Sequence, residues 1–287
     1  IVQCLYYISI YIEISSQVED SMQKKDPDKT RGVVRKKYSE IVKGDSRESI
    51  VPVSCCGEPL VSLESLSSDI GYSQEELASV PPGANMGLGC GNPMAIASLK
   101  KGETIVDLVS GGGFDCFLAA KQVGETGRVI GVDMTAEMIS KARENATKGG
   151  YSNVEFRLSE IEHLPVADGT ADVIISNCVI NLSPEKIHVF RETFRILKPG
   201  GRLAITDVVA SAPLPAEFKK DSTLLSGCIA GAATIEELNA MLQEVGFTDI
   251  KVCPLEKSRM FIKDWFPHLN LEDYVVSATI EATKPLA

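Results

Sequence analysis

The feature that most constrains the fold is a regular alternation of strand-like and helix-like segments through the middle of the chain. Short apolar runs bounded by turn residues predict strands, and the longer segments between them predict helices. The predicted strands are 103–109, 127–133, 153–160, 172–179 and 202–209, and the predicted helices are 114–123, 135–149 and 183–197. This alternation favours an α/β fold with a doubly wound, mostly parallel sheet. Ligands bind such sheets at the carboxyl ends of the strands.

The rest of the sequence is predicted to surround this core. The predicted segments are an extension or linker outside the core (1–32), a helical and cysteine-bearing segment (33–100), the Rossmann-like core (101–210) and a C-terminal α+β extension (211–287). A helix is predicted at 33–43, and Thr234 with Glu237 has the spacing of a capping box. Thr135 and Ser183 are predicted N-caps of two core helices. Two late strands are predicted at 248–255 and 273–283.

Charge and hydropathy exclude two classes of partner. The formal net charge is −10, and the longest basic run is a triplet. Nucleic-acid binding needs a basic face, so no nucleic-acid partner is expected. The apolar start of the chain is about 14 residues long and is interrupted by Glu13. A membrane span needs roughly 20 residues, so no membrane association is expected.

Cysteine usage indicates a reducing compartment. The chain has eight cysteines and no clear export signal, so we expect a cytoplasmic protein with reactive or metal-binding thiols. Neither a CxxC pair nor a Cys/His cluster with zinc spacing occurs in the sequence, and its three histidines are far apart.

A glycine-rich loop, "DLVSGGGFD", follows the first predicted core strand and opens a helix. Glycines there allow a ligand to approach the backbone closely. Asp133 ends the next strand, where a carboxylate can bind a ribose hydroxyl. The pattern lacks the last glycine of the NAD fingerprint. The residues expected to bind a nucleotide-type cofactor are Asp107, Ser110, Gly111, Gly113 and Asp133.

The loop resembles motif I of class I S-adenosylmethionine (SAM) methyltransferases, an acidic-x-G-x-G-x-G pattern. Asp107, Gly111 and Gly113 fit that pattern, and Val109 stands where the first glycine usually occurs. The "LKPGG" before the fifth strand also resembles this superfamily. The resemblance implies a seven-stranded sheet and SAM as methyl donor. It also implies cofactor contacts from Met134, Ile161, Glu162 and Asn177, with the loop "SEIEHLP" beside the adenine.

Three cysteines stand out by their positions. Cys178 closes the fourth strand, Cys228 lies in "SGCIAGAA", and Cys90 lies in "GLGCGNP" before the first core strand. A single cysteine in any of these places is more often a small buried hydrophobe. Three thiols at strand ends or in small-residue loops point instead to a shared soft-metal site.

Residues 33–285 resemble microbial arsenite SAM methyltransferases. The resemblance rests on "GLGCGNP", "GVDMTAEMISKARENA", "SNCVINLSPEK", "GCIAGA" and "EDYVVSATIEATKP". It implies that Cys90, Cys178 and Cys228 bind trivalent arsenic as arsenite and then methylarsenite.

The same resemblance implies a redox thiol at Cys55 or Cys56, regenerated by a thiol reductant such as thioredoxin or glutathione. Adjacent Cα atoms are about 3.8 Å apart, below the disulfide range of roughly 4.4–6.8 Å. One of the pair is therefore expected to bond with Cys90.

Two other interpretations stay open at the level of sequence. A methyltransferase of a small organic acceptor, such as a quinone precursor, would share the glycine loop but has no use for three thiols. A thiol-based metalloid-binding protein without catalysis is the second, and Val109 is the residue that favours it.

Overall fold

A seven-stranded sheet forms the centre of the molecule. The computed structural model describes residues 26–44, 62–266 and 268–286. The strands are β1 Thr104–Asp107, β2 Arg128–Asp133, β3 Val154–Leu158, β4 Ala171–Asn177, β5 Leu197–Ala210, β6 Thr248–Pro254 and β7 Val275–Thr283. All five predicted core strands and both late strands are present, with ends shifted by a few residues.

The order of the strands is β3-β2-β1-β4-β5-β7-β6. The first five strands pair in parallel, and β7 runs antiparallel between β5 and β6. The predicted doubly wound, mostly parallel sheet is therefore confirmed. The order reverses between β1 and β4, so their carboxyl ends frame the crevice in which such sheets bind ligands.

Helices cover both faces of this sheet. They are α1 Pro27–Lys43, α2 Leu63–Asp69, α3 Gln74–Ala78, α4 Met94–Ala97, α5 Phe114–Val123, α6 Ala136–Gly149, α7 Lys186–Ile196, α8 Ala216–Lys220, α9 Ser222–Ser226, α10 Ile235–Val245 and α11 Arg259–Ile262. Apolar side chains pack between the helices and the sheet in two separate clusters, one for each face. In the described ranges, no helix combines the length and apolar character that a membrane crossing requires.

Two predicted helix starts differ in outcome. The capping box of Thr234 and Glu237 is confirmed at the start of α10. The prediction that Ser183 caps a helix over 183–197 is wrong, because α7 begins at Lys186. The Ser183 hydroxyl instead donates a hydrogen bond of 2.6 Å to the Glu162 carboxylate. The same hydroxyl also accepts a hydrogen bond from the Glu185 amide at 3.1 Å, just before the helix begins.

The first described helix corrects the predicted boundary at residue 32. Helix α1 begins at Pro27, six residues before the predicted start, with Asp26 as its N-cap. Arg31 is 7% exposed and Val34 is fully buried. Residues 27–32 therefore belong to the packed structure and not to a linker. Most of the predicted extension, together with Cys55 and Cys56, lies outside the described residues.

Candidate active site

The glycine loop turns sharply between β1 and α5. Gly111 and Gly113 have φ angles of +49° and +95°, which other residues rarely adopt. A Cβ atom on Gly113 would lie 2.7 Å from the Phe117 ring. The φ angle of Val109 is not positive, so its backbone carries no left-handed strain. Its side chain packs between two apolar clusters at the carboxyl end of the sheet.

Asp133 ties this loop to the end of β2. One of its carboxylate oxygens accepts a hydrogen bond from the Gly111 amide at 3.1 Å, and the other accepts one from the Thr135 amide at 2.7 Å. Burial raises the pKa of Asp133 to about 6, against the lowering effect of these two amides. The carboxylate thus shapes the loop and also faces the cavity in which a ribose is expected.

A narrow cavity lies between this loop and helix α1. Its walls include the predicted cofactor residues Asp133, Met134, Ile161 and Glu162, and also Arg31, Val34, Tyr38, Val109, Thr135, Val179, Leu182 and Ser183. The structure therefore brings the predicted adenine and ribose residues to one place. Its volume is about 40 Å³, far below the roughly 300–1,000 Å³ of ordinary ligand pockets.

A second cavity adjoins the first at Val109. It is lined by the predicted residues Asp107, Ser110, Gly111 and Asn177. The buried Ser110 hydroxyl has no hydrogen-bond partner among the described residues. Burial, with the nearby carboxylate of Asp115, raises the pKa of Asp107 to about 8. A polar ligand with a positive charge, such as the methionine part of SAM, would satisfy both groups.

Asn177 joins this cavity to the loop that carries Cys90. Its side-chain oxygen accepts a hydrogen bond from the Cys90 amide at 3.0 Å. Its side-chain nitrogen donates to the Gly91 carbonyl at 2.8 Å and to the Tyr72 hydroxyl at 3.1 Å. The amide that sequence reasoning assigned to the cofactor therefore holds the Cys90 loop against the end of β4.

The three predicted arsenic thiols come together at the carboxyl ends of β4 and β5. Cys90, Cys178 and Cys228 are all buried and belong to one cluster. The Cys228 thiol donates to the Cys178 carbonyl with 2.7 Å between Sγ and O. The Sγ atoms of Cys90 and Cys178 and one oxygen of Asp207 lie within 4.8 Å of one another. The structure thus assembles, from distant parts of the chain, a set of soft donors.

Burial keeps these thiols protonated. It raises the pKa of Cys90 to about 11, although a hydrogen bond with Cys178 opposes the shift. The pKa of Cys228 is raised by its hydrogen bond with Cys178 and by burial. At neutral pH all three sulfurs therefore carry hydrogen. The protonated thiols can still replace the hydroxyl groups of arsenite without a change in net charge. For each As–S bond formed, one hydroxyl group and the thiol proton leave together as water.

A larger cavity leads to the thiols from the outside. Its volume is about 380 Å³, and its walls include Tyr38, Leu88, Cys178, Cys228, Trp265 and Phe266. Tyr38 also lines the narrow cavity beside Asp133, so the two spaces meet at this side chain.

Two site features escaped sequence reasoning. Asp207 was not predicted, although an acid in the apolar strand "RLAITDVV" is a signal that could have been used. Arg31 was assigned to a linker. Cys116 is buried, and its thiol donates to Asp107 at 3.3 Å.

The Asp133 geometry gives a quantitative prediction. Asp133→Ala should weaken SAM binding by roughly 1–3 kcal/mol, because the Gly111 amide and a ribose hydroxyl both lose their acceptor. Isothermal titration measures this loss. A 2′,3′-dideoxy analogue of SAM separates the two contributions, since only the ribose contact should disappear with it. An unchanged SAM affinity would remove Asp133 from the ribose role.

Comparisons with known proteins agree with this geometry. The sequence profile of the family described as a methyltransferase domain matches residues 99–246. Together with the sheet order and the glycine loop, this match defines a SAM-dependent methyltransferase of class I. An arsenite methyltransferase from Halobacterium salinarum is 49% identical over 284 residues, which cover 95% of this chain and 71% of that protein. The chain belongs to the arsenite methyltransferase family.

More distant relatives align over less of their length. The human arsenite methyltransferase is 39% identical over 168 residues, which cover 55% of this chain and 44% of that protein. The crystal structure of CrArsM, an arsenic(III) SAM methyltransferase from Chlamydomonas reinhardtii, superposes with a TM-score of 0.58 and 31% identity. That match covers 77% of this chain and 73% of the other.

Proposed function

We propose that this chain transfers the methyl group of SAM to trivalent arsenic bound by Cys90, Cys178 and Cys228. The observation that carries the proposal is the convergence of three distant thiols in one buried cluster beside the cofactor cavity. Trivalent arsenic is soft and prefers thiolate sulfur. Three sulfurs leave its lone pair pointing out of a pyramid, and that lone pair can form a bond to carbon.

The chain fits SAM on its own chemistry. The unpartnered Ser110 hydroxyl and the buried acids Asp107 and Asp115 suit a polar, cationic ligand end. SAM supplies an electrophilic methyl group on a positively charged sulfur. We propose that Asp133, Met134, Ile161 and Glu162 hold its adenosine part, while Asp107, Ser110, Gly111, Gly113 and Asn177 surround the methionine part.

The role of the protein in the reaction is mainly to position and to exclude water. Arsenic has no proton to lose when its As–C bond forms, so no general base is needed. Correct placement of reactants can supply roughly 7–11 kcal/mol of barrier lowering. The buried, apolar surroundings of the thiols also favour a transition state in which the positive charge, at first on the donor's sulfur, is spread over sulfur, carbon and arsenic.

The methylated arsenic is formally pentavalent, and two electrons from a pair of thiols return it to the trivalent state. We propose Cys55 or Cys56, paired with Cys90, as that source, and a cytoplasmic reductant such as thioredoxin or glutathione to regenerate it. The presence of Cys90 in the thiol cluster supports this assignment.

The test is arsenic speciation after the purified chain is incubated with SAM, arsenite and a thiol reductant. Methylated arsenicals and one equivalent of S-adenosylhomocysteine per methyl group are expected. SAM binding without methylated arsenic would favour a metalloid-binding protein. Methylation of a quinone precursor instead of arsenite would favour the organic acceptor.

A further inference from the structure

Asp207 is the most heavily hydrogen-bonded carboxylate near the thiols. It lies on β5, is 2% exposed, and faces the turn that follows β4. One carboxylate oxygen accepts from the amides of Val179 at 3.0 Å and Ile180 at 2.7 Å. The other accepts from the Asn181 side chain at 3.0 Å and from the Val208 amide at 2.7 Å.

These four bonds determine what Asp207 can do. A carboxylate has about four acceptor positions, and here all four are used. The group lies close to the Sγ atoms of Cys90 and Cys178, but it has no free lone pair with which to bind arsenic. Its contribution to the site is therefore geometric.

The turn that Asp207 holds begins at Cys178, which has a φ of +60°. This left-handed conformation is unfavourable for a residue other than glycine. On the amino side, the Cys178 amide is fixed by the Thr206 carbonyl at 2.8 Å. On the carboxyl side, the next two amides are fixed by Asp207. Hydrogen bonds on both sides of Cys178 thus hold this strained residue in its conformation.

The same hydrogen bonds also determine where Cys228 lies. The carbonyl of Cys178 belongs to the same turn and accepts the Cys228 thiol hydrogen bond. If the turn relaxed to negative φ, both the Cys178 sulfur and this carbonyl would move. Two of the three sulfurs would then lose their present spacing.

We propose that Asp207 is a positioning residue for arsenic methylation, which holds the turn from Cys178 to Ile180 so that three sulfurs can reach one arsenic atom. The inference rests on the proposed function. A carboxylate is required because an amide in its place would direct an NH₂ group at two N–H donors, whichever way it is rotated. Partners that orient metal-ligating residues typically contribute 10- to 100-fold to affinity or activity.

The test compares Asp207→Asn with Asp172→Asn, a matched carboxylate-to-amide change. Asp172 lies at the far end of the same strand pair, where it accepts from the Thr104 amide and from Lys198. Five quantities are measured: the SAM dissociation constant, kcat and KM for arsenite, the arsenic–sulfur coordination number by X-ray absorption, and amide hydrogen exchange at Val179 and Ile180.

For Asp207→Asn we expect the sulfur count to fall from three to two and the KM for arsenite to rise by about 10- to 100-fold. The two amides should exchange faster, and SAM affinity should stay within about twofold, well below the effect of a lost orienting contact. Asp172→Asn should leave every one of these quantities unchanged. If Asp207→Asn does not fold, Asn181→Ala removes one of the four bonds and should shift the same quantities in the same direction.

Three arsenic–sulfur bonds with an unchanged KM in Asp207→Asn would overturn the inference. Equal losses of SAM and arsenite binding would also overturn it, because they would show general destabilisation. Failure of the wild-type chain to methylate arsenite would overturn the proposed function instead. The sulfur count of the arsenite complex and the amide exchange rates would still decide the role of Asp207 in that case.

Discussion

Cys178→Ser and Cys228→Ser should each abolish methylation of arsenite and leave the affinity for SAM unchanged. Serine keeps the size of the side chain and can still donate the hydrogen bond that Cys228 gives to the Cys178 carbonyl. Its hydroxyl is a hard, protonated group that binds soft arsenic poorly. The measurements are methylated arsenic by speciation and SAM affinity by titration.

The matched control is Cys253→Ser, because Cys253 is an exposed thiol on β6, outside the thiol cluster. It should methylate arsenite at the wild-type rate. Either cluster mutant methylating arsenite near that rate would show that the three-thiol site is wrong. A fall in SAM affinity parallel to the activity would mean that the substitution had damaged the fold.

Cys90→Ser should affect the methylation of arsenite and the methylation of methylarsenite differently. Methylarsenite already carries one carbon ligand and needs only two sulfurs, which Cys178 and Cys228 can supply. In a single turnover, which needs no reduction by Cys90, retained methyl transfer to methylarsenite with loss of transfer to arsenite is the expected pattern. Loss of both would indicate that Cys90 also holds the methylated substrate or that the Cys90 loop, tied to Asn177, supports the other two thiols.

The sheet could be predicted from sequence because it depends on local pattern. Strand and helix periodicities indicated the parallel core, whereas the shared site of Cys90, Cys178 and Cys228 was implied by the family resemblance. The antiparallel place of β7 between β5 and β6 does not follow from propensity, since it depends on pairing over a long sequence separation. Resemblance, not periodicity, supplied the seven-stranded sheet.

The errors have a common physical cause, which is that tertiary contacts overrode local signals. Ser183 and Pro184 make a good helix start, yet Ser183 bonds to Glu162 and the helix begins later. Asp26 and Pro27 were a usable cap signal for α1, but the polar composition around them indicated a linker. The backbone of Val109 shows no positive φ, so strain at that loop position could be excluded only from the structure.

The ion pair between Arg31 and Glu162 is the contact that most clearly shows helix α1 packed on the core and not part of a linker. The two residues are 131 positions apart in sequence, and both are buried. The Arg31 guanidinium lies 3.2 Å from Glu162 and 2.6 Å from Glu185. Helix α1 also brings Val34 and Tyr38 over the cofactor cavity. The ion pair therefore fastens the helix that closes this cavity.

Arg31→Met should lower the free energy of unfolding by about 3 kcal/mol, because Glu162 would stay buried without its cation. It should also weaken SAM binding. The matched control is Arg35→Met on the same helix; the Arg35 side chain is 47% exposed, and its guanidinium pairs with Glu160 at 2.9 Å. An exposed pair contributes about 0–1 kcal/mol, so this change should have little effect.

The double mutant Arg31→Met/Glu162→Gln shows whether the unpaired Glu162 carboxylate causes the loss of stability in Arg31→Met. A neutral amide costs much less to bury than an unpaired carboxylate, so the double mutant should be more stable than Arg31→Met alone. Denaturant unfolding of the wild type, Arg31→Met, Glu162→Gln and the double mutant gives the coupling free energy between Arg31 and Glu162. If Arg31→Met destabilises no more than Arg35→Met, α1 is not fastened by this pair.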